Sequence, residues 1–424
     1  MSDVLTPAAA RRVFLLLTVA RWLPVGLVVG IFTLWFLDRG LTVAEALVAF
    51  SVTGIMVFVL ELPTGGLADA IGRRPVLIAA AAINIAASAV LILGQSFWMF
   101  VVGAALQGVF RALDSGPLEA WFVDTVHATE PAADVDQALS TEGTVMGVSM
   151  AVGAVASGGL VVWHPLTAYT ALLPPMLGWA GLNLVYLVAL VVLMKEPGTH
   201  LDSSGRRRAA ESAKAAPGIV RDGLSLLRHN RVLLSLVMVE LFWTAALVVF
   251  ETLQPVRLAE MVGGEERAGA LMGPVAAIGW GVFALGSALA GFGSRRIGVA
   301  RTAILARVLN GLGAVTMGLA AGPVALIVAY LFTYGLHGTA GPMHSSLLHR
   351  EAEARNRATV LSMNSMVFFI AFSLVGPPLG LLAEATSTQT AMVTAGAFSI
   401  LGALLYLPAL RAEDKRPEAA TDPA

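Results

Sequence analysis

Six ionisable side chains stand where the surrounding sequence is otherwise apolar: Arg21, Arg111, Asp114, Glu119, Glu142 and Glu240. A charge in the middle of a hydrocarbon layer is costly unless it faces protein or water, so each is a candidate for holding a polar solute or carrying a proton. Arg111 and Asp114 are three residues apart, which puts them on one helix face. There they can neutralise each other as a packing pair or line a cavity together. Glu119 follows one to two turns later, Glu142 opens the next apolar run, and Trp243 lies one turn beyond Glu240, where with Phe242 it is placed to line an apolar pocket. Arg21 sits beside Trp22 and before Pro24, a residue that predicts a kink. Glu251 and Glu61 fall toward the ends of their runs, where interfacial solvation is easy. His337 and His344 titrate near neutral pH in principle, and are expected as hydrogen-bonding core residues.

A second constellation is ELPTGGLADAIGRRP, from Glu61 to Pro75, a tight polar cluster between two long apolar stretches. Gly65, Gly66 and Gly72 permit turning and close backbone approach, while Arg73 and Arg74 are fixed charges that must stay outside hydrocarbon. Asp69 and Arg73 are four apart and share a face if the segment stays helical.

The elements that position these residues are membrane spans. With 57% hydrophobic and 13% charged residues and a mean hydropathy of +0.78, the 424-residue chain reads as an all-α membrane protein embedded in a lipid bilayer. Runs long enough to cross the hydrocarbon occur near 13–36, 45–64, 75–94, 97–121, 138–162, 168–194, 232–253, 270–291, 302–321, 323–347, 358–382 and 388–410, which makes twelve spans. The first has the length of a retained signal anchor rather than a cleaved signal. With both termini placed in the cytoplasm, all but five of the 27 Lys and Arg residues fall inside. Arg39, Arg257 and Arg267 fall outside, and Arg21 and Arg111 remain in the membrane, an asymmetry that fits the positive-inside rule. Most tryptophans sit near span ends, as an interfacial belt would place them.

The net charge of -1 gives no support to a nucleic-acid partner, and the absence of cysteine excludes disulfides, thiol catalysis and cysteine-based metal sites. There is no Walker loop, metal-ligand cluster or Ser-His-Asp order, so neither an enzyme nor an ATP-driven pump is supported, and no cofactor is expected.

The segment 196–230 is one long polar linker. It divides the chain into a bundle over 1–195 and a bundle over 231–412, followed by a disordered tail over 413–424. Its run Arg206, Arg207 and Arg208 reads as a topology determinant beside anionic lipid, with a regulatory site as the other reading. The halves repeat: Gly65 pairs with Gly291, Gly116-Pro117 with Gly341-Pro342, Leu139-Ser140 with Leu361-Ser362 and Gly158 with Gly380, at separations of 226, 225, 222 and 222 residues. Parallel six-helix repeats of this kind mark a large class of transporters.

The twelve spans, the long central loop and G-x-L-A-D-x-x-G-R-R between helices 2 and 3, met by Gly65, Leu67, Ala68, Asp69, Gly72, Arg73 and Arg74, resemble the major facilitator superfamily. The flanks ELPTG and SGPLEAWFVD are similar to a bacterial subgroup of drug or metabolite exporters. The pattern R-x-x-Q-G of many exporters reads Ala104-Ala105-Leu106-Gln107-Gly108 here, with Arg111 two turns later. The helix 5 antiporter pattern lacks its proline, and Arg295 replaces the second motif's Asp. The resemblance implies two pseudo-symmetric six-helix bundles that rock about a central cavity. It implies too that Asp69 lies near the start of helix 11 at Arg357 and that Arg73 pairs with Asp124, a latch on the cytoplasmic side. The expected function is secondary active export of a small amphipathic organic molecule by proton antiport, energised by the proton gradient, in a monomer of the bacterial plasma (inner) membrane with both termini cytoplasmic. Uptake or uniport of a metabolite, and a sensor or scaffold that transports nothing, are the alternatives.

Overall fold

In the computed structural model, the structure describes residues 5–196, 220–353 and 356–415, with isolated positions between 214 and 218. The Arg206–Arg208 run, most of the linker and residues 416–424 lie outside the described residues. Twelve helices are long and apolar enough to cross a membrane. We number them α1 (Pro7–Val29), α2 (Val43–Ile71), α3 (Arg73–Leu93), α4 (Phe97–Thr129), α5 (Asp136–Trp163), α6 (Leu173–Leu193), α7 (Arg231–Val262), α8 (Glu265–Ile297), α9 (Val299–Leu319), α10 (Pro323–Glu351), α11 (Arg357–Ala385) and α12 (Thr388–Asp414). The protein is an all-α membrane protein of two pseudo-symmetric six-helix bundles.

Local chemistry sets the helix starts. Thr6 caps α1 and Pro7 occupies its first turn, Thr42 and Glu45 form a capping box on α2, and Asn230 and Ser387 cap α7 and α12. Several spans depart from the apolar runs: α1 ends at Val29 and a separate short helix covers Phe32–Asp38, and α2 and α8 run on to Ile71 and Ile297. α4 breaks at Gly116, whose φ of 91° is left-handed, and then continues over Pro117–Thr129, so it runs past the expected end near 121. α7 extends to Val262 through a π-helical turn over Val249–Leu253. α12 runs to Asp414, so Glu413 and Asp414 end a helix and are not part of a disordered tail.

The halves meet along two seams, α2 with α11 and α5 with α8. We call the side on which α1 begins and α12 ends the terminal side. On the far side the seams are tight: a Cβ at Gly273 of α8 would lie 2.6 Å from Cα of Gly158 in α5, so only glycine permits that approach. Two carboxylates of the second half cap backbone N–H groups of the first, Ala44 N donating to Glu384 at 2.8 Å and Ala171 N to Glu266 at 2.8 Å. Toward the terminal side α2 and α11 stay together as far as the Ser365 hydroxyl, which donates to Glu61 at 2.9 Å. α5 and α8 diverge there: a Cβ at Gly143, Gly147, Gly281 or Gly291 would find no heavy atom within 4 Å. The result is a cleft between the halves, open on the terminal side.

The tryptophans do not form a simple belt. Trp98 and Trp163 are exposed at span ends, but Trp35, Trp121, Trp179 and Trp243 are buried. Trp35 gives its indole N–H to Leu91 O at 3.0 Å and Trp121 to Lys195 O at 2.9 Å, so these rings tie helices together inside the protein.

Candidate functional site

The first half concentrates its charge where α1, α4, α5 and α6 meet. Asp114 is buried, and it pairs with Arg21 rather than with Arg111: Arg21 Nε is 2.6 Å from Asp114 Oδ2. The i, i+3 spacing of Arg111 and Asp114 made their pairing possible, but Arg21 also reaches the Asp114 backbone carbonyl at 3.2 Å. The fork and the bend in the helix end therefore favour the cross-helix partner. Tyr186 of α6 adds its hydroxyl to Asp114 at 3.3 Å. Arg21 Nη1 lies 3.5 Å from Glu119, and the Glu142 carboxyl is within hydrogen-bond reach of Glu119. Glu119 and Glu142 remain part-exposed on the cleft.

Arg111 is left open. Its side chain is exposed although α4 stands in the interior, and among the described residues its one close partner is the Phe369 ring of α11, 5.6 Å from the guanidinium. α4 makes no extended packing contact with α10 or α11, so that guanidinium reaches across the cleft.

The second half is closed. Glu240 is buried, which corrects its expected exposure to a cavity. Its carboxylate receives the Trp243 indole N–H and the Asn364 amide at 2.9 Å, and lies 3.2 Å from His344 Nε2. His344 Nδ1 meets the Tyr406 hydroxyl at 2.8 Å, which accepts from Arg307 Nε at 3.4 Å. Because Nε2 faces two acceptors, Glu240 and Asn364, the ring proton belongs on Nε2. Trp243 does not line an open pocket: it is buried, stacked on His337 at 5.0 Å and Phe368 at 5.9 Å, with Arg307 4.4 Å from its ring. Glu251 sits in the π-helical turn within reach of the Tyr334 hydroxyl, not at a solvated span end.

The turn between α2 and α3 is a single residue, Gly72, with φ 101°, a conformation that costs glycine little. Arg73 forms an ion pair with Asp124 at the terminal end of α4, and Arg74 donates to Val191 O at 2.8 Å. The backbone N–H groups of Arg73 and Arg74 both donate to Glu196, each at 2.9 Å. Gly65 and Asp69 lie within the α2 helix, but the surroundings of the Asp69 side chain fall outside the described residues, so its expected approach to the start of α11 does too. The second half repeats the device: Gly298 has φ 89°, and Val299 and Ala300 donate to Glu413 at 2.9 and 2.7 Å.

Sequence reasoning missed Tyr186, Tyr406, Arg307, Asn364, Glu196 and Glu413. Two pairs carried a signal. Tyr186 and Tyr406 are 220 residues apart and Glu196 and Glu413 are 217 apart, close to the repeat separation, so a search of each landmark's counterpart finds them. Arg307, counted on the cytoplasmic side by the charge distribution, is instead buried within α9 over Trp243, and Asn364 carried no signal beyond polarity in an apolar run.

Several known proteins are similar to this chain. Inner membrane transport protein YajR of Escherichia coli (strain K12) is 29% identical over 125 residues, which are 29% of this chain and 26% of YajR. That match thus spans about a quarter of the relative's length. Among solved structures, nucleoside transporter NupG superposes with a TM-score of 0.75 at 13% identity over 96% of this chain and 100% of NupG. A peptide transporter POT solved in complex with sulfate superposes with a TM-score of 0.72 at 13% identity, over 96% of this chain and 94% of the other. At such identities the likeness is one of fold. The sequence pattern of the Major Facilitator Superfamily matches residues 14–374 and again 284–423, and on this twelve-helix body the chain therefore belongs to the Major Facilitator Superfamily.

Proposed function

We propose that this secondary transporter exports a small amphipathic organic molecule in exchange for protons, by rocking of the two bundles. The observation that carries this reading is the pair of carboxyl groups on the cleft, Glu119 of α4 and Glu142 of α5, side by side next to Arg21. One proton can bridge two adjacent carboxyls, and its departure leaves two negative charges facing the Arg21 cation. The charge of the cleft then depends on whether the proton is present, which is what linkage of proton and solute requires. The open Arg111 and this part-exposed acid pair also speak against a scaffold whose charges are all satisfied.

In this reading the chain is a monomer in a bacterial inner membrane with both termini in the cytoplasm, the bundles span 1–195 and 231–412, and the cleft faces the cytoplasm. The pair Arg73–Asp124 and Asp69 serve as a latch that closes that side when the bundles rock. The test is flux of a fluorescent amphipathic solute in liposomes under an imposed pH gradient. Gradient-driven flux that is lost in Glu119→Gln and Glu142→Gln supports the proposal; no flux in the native protein, or flux equal in both variants, overturns it.

A further inference from the structure

Arg111 differs from the other charges of the mid-membrane clusters. Asp114, the acid nearest to it in sequence, is held by Arg21 at 2.6 Å and by Tyr186 at 3.3 Å. In the other half Glu240 is saturated by Trp243, Asn364 and His344, and Arg307 is buried over Trp243. Arg111 alone of these is exposed, and the charged groups near it, Arg21 and Asp114, are engaged with each other. An arginine so far inside a membrane protein is retained at a cost unless water or a ligand meets it. Its planar fork matches an oxyanion through two parallel hydrogen bonds, which an ammonium cannot do.

What faces Arg111 is aromatic. Phe369 stands 5.6 Å from the guanidinium, and its neighbour Phe368 packs against both Phe369 and Trp243, so the opposite wall of the cleft presents ring surface.

We propose that Arg111 is the anion-binding point of the cleft, and that the transported solute carries a carboxylate or phosphate beside a flat apolar group lying on Phe369. This rests on the transport reading above and narrows its substrate to organic anions. The geometry gives the solute a hold on both halves at once, its charge on α4 of the first and its ring on α11 of the second. Binding also replaces the Arg111–Phe369 contact, so the empty site keeps its cation over a ring.

The experiment is calorimetric titration of the purified full-length protein with 1-naphthylacetate and with its uncharged analogue 1-naphthylacetamide. The acid is expected to bind saturably and about tenfold or more tighter than the amide, as a charge-assisted hydrogen-bonded pair provides. Arg111→Gln brings the acid to the level of the amide, Arg111→Lys leaves an intermediate preference, and Phe369→Ala weakens acid and amide alike. Equal binding of acid and amide to the native protein, absence of saturable acid binding, or a preference that survives Arg111→Gln overturns the proposal. Should Arg111→Gln fail to give a monodisperse protein, Arg111→Lys decides: an undiminished preference overturns it. The measurement uses no gradient, so acid binding without flux overturns the transport reading and leaves the site standing. Flux without acid preference overturns the site alone.

Discussion

Each half joins its first helix to its fourth by a buried polar contact, with the acid on the fourth helix in one half and on the first in the other. In the first half the cation is on the first helix, Arg21 of α1, and the acid is on the fourth, Asp114 of α4. In the second half the acid is on the first helix, Glu240 of α7, and the base on the fourth, His344 of α10. Each is finished by a tyrosine on the last helix of its half, Tyr186 or Tyr406. The contact between first and fourth helices thus recurs in both halves, a guanidinium meeting the carboxylate in the first and an imidazole N–H meeting it in the second. The halves differ in closure. The second seals its pair under Trp243, Asn364 and Arg307, whereas the first leaves Arg111, Glu119 and Glu142 open on the cleft. One half therefore closes over its buried polar groups, while the other leaves charged groups facing the cleft.

The largest way to break this comparison is to remove one member of a buried pair. Arg21→Gln leaves the Asp114 carboxylate buried with the Tyr186 hydroxyl as its side-chain partner, and should destabilise the protein by about 3–5 kcal/mol, read as a drop in thermal unfolding temperature in detergent. Adding Asp114→Asn should restore most of that loss, because the uncompensated charge is gone. If the double variant is as unstable as the sum of the singles, the pair is not the unit we describe.

Glu240→Gln sharpens the contrast in closure. A glutamine keeps the shape but cannot accept from Trp243, Asn364 and His344 together, and one of its amide hydrogens is turned toward a donor. The expected loss is about 1–3 kcal/mol, the cost of an unsatisfied buried group. Glu119→Gln and Glu142→Gln, part-exposed on the cleft, should instead change stability by less than Glu240→Gln does while abolishing pH-driven flux. A stability loss at Glu142 equal to that at Glu240 would erase the distinction between a sealed and an open half.

Much of this was legible from residues alone, and the rest was not for identifiable reasons. Hydropathy located the twelve spans because a hydrocarbon layer demands about twenty apolar residues per crossing, and the repeat of Gly116-Pro117 in Gly341-Pro342 exposed the duplication. Partners across helices were beyond reach. Spacing along one helix suggested Arg111 with Asp114, yet nothing in the sequence states that α1 brings Arg21 within 2.6 Å. The burial of Glu240 was hidden likewise, since two of its three partners, His344 of α10 and Asn364 of α11, lie more than a hundred residues away. Gly116 and the π-helical turn lengthened α4 and α7 because local backbone departures leave no hydrophobic period to read.

The smallest effect concerns the turns that both halves build alike. Glu196 accepts the backbone N–H groups of Arg73 and Arg74, and Glu413 those of Val299 and Ala300, so each carboxylate caps a helix start and meets the positive end of its dipole. Glu196→Ala and Glu413→Ala should each cost about 0.5–2 kcal/mol. The sequence around the turns is not alike, however: the first has Arg73 paired with Asp124, while the second has Arg301 on Asp414 at 2.9 Å and Arg350 on Glu413 at 3.3 Å. Removing Glu413 therefore also releases Arg350, an exchange that is partly exposed and adds little. Near-equal losses in thermal stability would show that capping dominates in both halves, whereas a Glu413→Ala loss well above that of Glu196→Ala would assign the second turn to its arginine network and end the symmetry at the terminal side.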